Sequence, residues 1–266
     1  MKMLRPISLF FILALLSSTF VSCSSVPLTG RTRVNFIPSS IVNTQSISAY
    51  NDTLKKARIA KNTPQALMVK RVGLRVARAA EDFVRENKID MKFNWEFNLI
   101  ESDQVNAWAM PGGKIAFYTG ILKYAQSEDE VAAVMGHEVA HVLAKHGSER
   151  MSQQIGLQGL AIFTGFALKD SEYKNYALLA AGAISTYGIV LPFSRHHELE
   201  ADRIGLTLMA KAGYNPEVAA GFWQKMSQSG GKKPPEIMST HPADATRIRK
   251  IQQYLPEALI WYQPRR

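Results

Sequence analysis

Ser127-Glu-Asp-Glu-Val-Ala-Ala-Val-Met-Gly-His-Glu-Val-Ala-His-Val-Leu-Ala-Lys-His-Gly147 is the stretch from which the rest of the chain can be read. Ser127 with Glu130 three residues on forms a capping box, and Glu128, Asp129 and Glu130 place acids at the positive end of a helix dipole. The pattern predicts a helix from 128 to about His146, closed by Gly147. Wound at about 100° per residue, Val131, Val134, Met135, Val139, Val142 and Leu143 point in every direction, so the helix is buried. Three ionisable residues in its middle, His137, Glu138 and His141, therefore need partners, because unpaired buried polar groups cost several kcal/mol. His137 and His141 lie one above the other about 6 Å apart along the axis, where both imidazoles can turn toward one Zn²⁺. Glu138 points roughly 100° away round the helix, placed to work on water rather than to ligate. H-E-x-x-H thus predicts a zinc-dependent hydrolytic centre. Two core histidines satisfied by hydrogen bonds are the bland competitor.

A catalytic zinc takes three protein ligands and keeps one position open. His146 is a poor third ligand, since on an unbroken helix it points about 140° away from the His137/His141 face. It is expected to be a cation at the helix end. Ser194-Arg-His-His-Glu-Leu-Glu-Ala-Asp-Arg-Ile-Gly205 offers a better candidate. Read as a helix over 195–212, its solvated face collects His196, Glu200, Arg203, Thr207 and Lys211. Its apolar face collects Ala201, Gly205, Leu208, Met209 and Ala212. Glu198 and Asp202 fall on the apolar side one turn apart, and buried carboxylates are rare unless paired or bound to metal. Glu198 is the expected third ligand. Asp202 is the expected carboxylate behind a ligand imidazole, with a structural ion pair as the alternative for Glu198. His241 precedes Pro242 and a helix bearing Arg247, and a hydrogen-bond donor near the metal would stabilise an oxyanion. A capping or surface histidine is the competing reading.

With these residues in place, the chain resembles the gluzincin metallopeptidases, the family of HtpX, the CAAX prenyl endopeptidase and the β-barrel assembly-enhancing protease. The matching stretches are Asn106-Ala-Trp-Ala-Met-Pro-Gly-Gly113, Gly136 to His146, Leu191 to Arg195 with Glu198 to Gly205, and Thr240-His-Pro242 with Arg247. The resemblance implies a zincin-like domain with one Zn²⁺ on His137, His141 and Glu198. It also implies Glu138 as general base, Asp202 behind a ligand, and His241 with Arg247 as the active-site wall. Compact bacterial lipoprotein members match best, because HtpX's long transmembrane hairpins and the assembly-enhancing protease's tetratricopeptide tail have no counterpart in the sequence. The implied activity is endopeptidase cleavage of misfolded or misassembled envelope proteins. A chaperone or assembly factor with a latent or structural metal site is the rival from another class.

The N-terminus bears Lys2 and Arg5, then an apolar run from Ile7 to Leu16. This reads as a signal peptide over 1–22. Phe20-Val-Ser-Cys23 is a loose lipobox, so Cys23, the single cysteine, is the expected lipidation site and membrane anchor. These features predict a bacterial envelope protein facing the periplasm, with Ser24 favouring the outer membrane. Net charge is +10, yet no nucleic-acid-binding motif accompanies it, which argues against that partner class. Residues 23–40 read as the lipidated Cys and a tether, and 41–266 as one metallopeptidase domain. Helices are expected at about 41–60 and 65–88. Strands over 93–100, 105–110 and 114–119, with a Pro111-Gly-Gly113 turn, predict a small antiparallel sheet beside the catalytic helix. The fold class is α+β, mostly helical. Apolar runs 155–168 and 176–193 are expected to pack as one wall of the cleft, and Ser227 to Pro235 as a possible lid.

Overall fold

A central apolar helix, against which two longer helices pack, organises the chain. In the computed structural model, residues 22–169, 171, 173–183, 191–229, 235–242 and 244–264 are described. Helices α1 (Ser39–Lys56) and α2 (Pro64–Glu86) come first. Thr63 caps α2 by accepting from the Ala66 N–H, and Pro64 suits its first turn. One stripe of α2, including Val69, Val72, Val76, Ala80 and Phe83, is buried against α3 (Glu128–Leu143). The capping box at Ser127 and Glu130 forms as expected, and residues 131–143 of α3 are all buried.

Three strands follow, β3 (Glu96–Ile100), β4 (Ala107–Met110) and β5 (Lys114–Tyr118), with β3 packed on α2 and β4 beside α3. The order is β3-β5-β4, with β4 antiparallel to β5 across the Pro111-Gly112-Gly113 turn and β3 parallel to β5. Both turn glycines take positive φ, 87° and 92°, which the connection requires. The sheet is therefore mixed rather than antiparallel. Alternating side chains show which strand face is buried but not which neighbour a strand chooses. β4 is left as an edge strand beside the catalytic helix.

The helix expected to run to His146 stops earlier. Lys145 adopts the left-handed conformation at φ 57°, and α4 (His146–Ala167) starts afresh in a new direction, with Gly147 inside it rather than closing α3. α5 (Lys174–Ala183) folds back on α4, and α6 (Leu191–Lys211) returns to run along α3. Apolar residues 155–168 and 176–183 do not line the cleft as expected. Ile162, Phe166, Tyr176 and Leu179 are exposed, because α4 leaves the body after its first turns. Residues 184–190 of the second run lie outside the described residues. No described helix is long and apolar enough to cross a membrane.

α7 (Val218–Gln228), α8 (Glu236–Thr240) and α9 (Ala245–Leu259) complete the fold, with α9 packed on α6 and α7. Of the expected lid, residues 230–234 lie outside the description, as do residues 1–21 of the expected leader. The stretch read as a tether contains a hairpin: β1 (Ser22–Ser25) pairs antiparallel with β2 (Thr32–Asn35), Cys23 opposite Val34. Pro27 and Gly30 lie in its connecting turn, and Pro38 directly precedes α1.

Candidate metal centre

Backbone contact between α3 and α6 makes the site possible. Gly136 and Gly205 meet at the crossing, where a Cβ on Gly136 would stand 2.7 Å from the Gly205 carbonyl oxygen. Two glycines there let α6 bring Glu198 and Asp202 up to the imidazoles of α3. His241 arrives from the end of α8, its N–H donating to the Ile237 carbonyl at 2.7 Å.

Four donor groups converge: His137, His141, Glu198 and His241, all buried, with one ligand atom of each within 4.8 Å of the others. His137 Nε2 lies 3.0 Å from His141 Nε2, 3.1 Å from His241 Nδ1 and 3.3 Å from a Glu198 oxygen. Glu198 oxygens lie 3.5 Å from His141 Nε2 and 3.0 Å from His241 Nδ1. Two ligand atoms, each about 2.0–2.1 Å from one tetrahedral ion, are separated by roughly 3.3 Å. Neutral imidazoles have one proton each, so lone pairs facing one another at this spacing suit a shared cation better than mutual hydrogen bonds. The donor set and its spacing fit a single metal ion.

Behind these atoms stand two polar clusters. His137 Nδ1 meets Asp202 Oδ1 at 2.9 Å, and Arg247 grips Asp202 with Nε and Nη2 at 2.7 and 2.8 Å. Arg247 also donates to the His241 carbonyl at 2.9 Å and stacks over Trp223 at 4.3 Å. Arg247 thus braces the centre from behind. His141 Nδ1 meets His146 Nδ1 at 2.7 Å, and His146 Nε2 donates to Glu200 at 2.9 Å.

Two expectations fail at that second cluster. His146 is fully buried rather than a helix-end cation, and burial pushes its pKa down to about 4, so it is neutral. The break at Lys145 swings it behind His141, where the wheel of an unbroken helix could not put it. Glu200 and Thr207, read as a solvated face with Arg203 and Lys211, are both buried. The start of α4 and the β1–β2 turn cover Glu200. Arg31, Glu149 and His197 join the same cluster and carried no motif in the sequence.

Glu138 is buried at the cleft, and among the described residues its Oε1 makes no hydrogen bond. That oxygen faces His241 Nε2 at 3.4 Å. Burial raises the Glu138 pKa above the usual carboxylate range, against an opposing pull from the His241 and His137 rings. Burial also opposes ionisation of Glu198, yet the charges of His241 and His137 hold it well below that range. At His137 burial acts downward, but Glu198 and Asp202 outweigh it and raise the pKa to about 9. Neighbouring carboxylates are thus shifted in opposite directions, Glu198 toward ionisation and Glu138 toward protonation. A cleft of about 580 Å³ opens on this spot, lined by Glu138, His141, His241 and the β4 residues Trp108 and Ala109.

A model of Peptidase family M48 matches residues 68–255. The chain belongs to peptidase family M48. As an M48 protein it is a metalloendopeptidase, in agreement with the family that the motifs suggested. It is 32% identical to the mitochondrial metalloendopeptidase OMA1 of Schizosaccharomyces pombe, over 91% of this chain and 69% of that protein. It is 36% identical to the mitochondrial metalloendopeptidase OMA1 of Arabidopsis thaliana, over 64% of this chain and 34% of that protein. The β-barrel assembly-enhancing protease of Yersinia pestis is 30% identical over 61% of this chain and 35% of its own length. The chain therefore spans only about a third of the latter two. These relatives overturn the expected address at the bacterial envelope and outer membrane, because proteins similar over most of this M48 chain are mitochondrial. The inference rested on a basic, apolar N-terminus, a charge and hydropathy pattern that does not by itself specify one membrane, and on a lipobox with Phe20 out of pattern.

Proposed function

We propose that the protein is a zinc-dependent endopeptidase acting on unfolded or misassembled polypeptides, with the ion on His137, His141 and Glu198. One observation carries the reading: buried imidazole and carboxylate atoms spaced 3.0–3.5 Å apart, with the unsatisfied Glu138 oxygen beside them. Zinc held there supplies Lewis acidity, polarising a carbonyl and lowering the pKa of water to around 7. Glu138 takes the proton of the attacking water and hands it to the leaving amine, a role its raised pKa suits. Asp202, fixed by Arg247, accepts from His137 Nδ1, so Nε2 is the nitrogen that would give up its proton to a bound metal. β4 lends its unpaired edge to the cleft, so an extended peptide can add backbone to backbone. Recognition of that kind reads main chain first, which suits unfolded substrates of varied sequence.

Metal content and cleavage of unfolded casein by wild type and Glu138→Gln test this reading together. The variant is expected to keep one zinc per chain and lose roughly 10² or more in rate. Casein cleavage at the wild-type rate by Glu138→Gln would remove Glu138 from the reaction.

A second reading, a chaperone or assembly factor with a latent metal site, draws on His241. Its Nδ1 lies among the donors, and a fourth protein ligand closes the position that catalysis needs. In that case the ring must leave before a substrate carbonyl enters.

A further inference from the structure

The β1–β2 turn reaches the metal centre from behind. Arg31 Nε and Nη2 donate to Glu200 Oε2 at 3.0 and 2.8 Å, while Nη1 and Nη2 donate to Glu149 at 3.0 and 2.8 Å. Thr29 donates to the other Glu200 oxygen. Glu149 accepts from His197 Nε2 at 3.0 Å, and the His197 ring stacks on His146 at 4.0 Å. Arg33, on β2, donates to the carbonyl of Ala144 at 2.9 Å, where α3 ends. The hairpin lies outside residues 68–255, the part matched by the family model.

Proton counting gives this chain of contacts a direction. An ionised carboxylate only accepts, so His146 must donate to Glu200 from Nε2. Its Nδ1 is then an acceptor, and the contact at 2.7 Å requires His141 to donate from Nδ1. His141 Nε2 is left with a lone pair on the side of His137 and Glu198. Two buried carboxylates as close as Glu149 and Glu200 need a shared cation, and the planar guanidinium engages both, which an ammonium matches poorly.

We propose that the β1–β2 hairpin is an outer brace of the metal site, in which Arg31, Glu200 and His146 are positioning residues that fix the ligating tautomer of His141. The proposal rests on His141 being a zinc ligand. It gives His141 what Asp202 and Arg247 give His137. It also makes a segment beyond the family-matched part necessary for full metal affinity.

The test is a Zn²⁺ titration against a competing chelator, on metal-stripped full chain, with hydrogen exchange of residues 22–35 followed with and without Zn²⁺. His146→Leu and Arg31→Met are expected to weaken zinc binding about 10–100-fold. His146→Asn, whose Oδ1 replaces Nδ1 as acceptor, recovers most of that loss, which a merely structural role would not give. Zinc slows exchange in the wild-type hairpin and leaves it unchanged in His146→Leu, because coupling between two sites is reciprocal. Wild-type affinity in a folded His146→Leu, or hairpin exchange blind to zinc in the wild type, overturns the brace. Should Arg31→Met fail to fold, the wild-type exchange data and the two His146 variants still decide. Equal zinc binding by wild type and His141→Ala overturns the ligand assignment itself, an outcome distinguishable from failure of the brace alone.

Discussion

Which side of the centre His241 serves is decided by one ring. Its Nδ1 sits 3.1 Å from His137 Nε2 and 3.0 Å from a Glu198 oxygen, while Nε2 points at Glu138. If the ring keeps this place when a metal is bound, it occupies the position that a substrate oxygen needs. His241→Ala is therefore expected to keep one metal per chain, since three ligands remain, and to cleave casein faster than wild type. A fall in rate of about 10² with metal retained would instead make His241 an oxyanion donor, the magnitude such groups carry. The positions of His137, Glu138, His141, Glu198 and Asp202 were legible in the sequence because each lies on a regular helix whose period places it. His146 and Glu200 were not. One lies past a left-handed Lys145 that no residue type announces, the other on a face that only distant chain covers.

Between elements, the decisive contact is the crossing of α3 and α6 at Gly136 and Gly205. A Cβ on Gly205 would stand 2.9 Å from both the Gly136 carbonyl carbon and the His137 nitrogen, which are backbone atoms that cannot rotate away. Gly205→Ala is expected to part the helices, cost about 1–3 kcal/mol, and draw Glu198 and Asp202 off His137. Urea midpoint and zinc affinity should fall together. Gly221→Ala is the control: it is helical, meets nothing within 4 Å, and should be neutral or stabilising by up to about 1 kcal/mol. Equal midpoints for Gly205→Ala and wild type would mean that the crossing tolerates separation. The glycines stand in the sequence beside His137 and three residues past Asp202, but which helices cross there is a tertiary fact. The same limit applies to the sheet. Its strands and turn were legible, and the parallel pairing of β3 with β5 was not.

At the scale of the whole molecule, charge joins the buried Val26 in holding the N-terminal hairpin to the body. Its turn meets α4 and α6 through Arg31, which bridges Glu149 and Glu200. Burial disfavours the Glu149 carboxylate, but hydrogen bonds from His197 and Arg31 outweigh it and bring its pKa down to about 2, from an ordinary 4.5. A folded pKa below the unfolded one means that the unfolded chain binds more protons in the interval, so stability rises with pH there. The contribution is complete above about 4.5 and is lost as pH falls toward about 2. Glu149→Gln is expected to be less stable than wild type at neutral pH and to show a flatter midpoint across that acid window. Urea midpoints of the metal-free proteins at a series of pH values check this, since metal loss then adds no slope of its own. Parallel curves for the two proteins would show that Glu149 is not ionised against Arg31 in the folded state, and that the hairpin is held by packing instead.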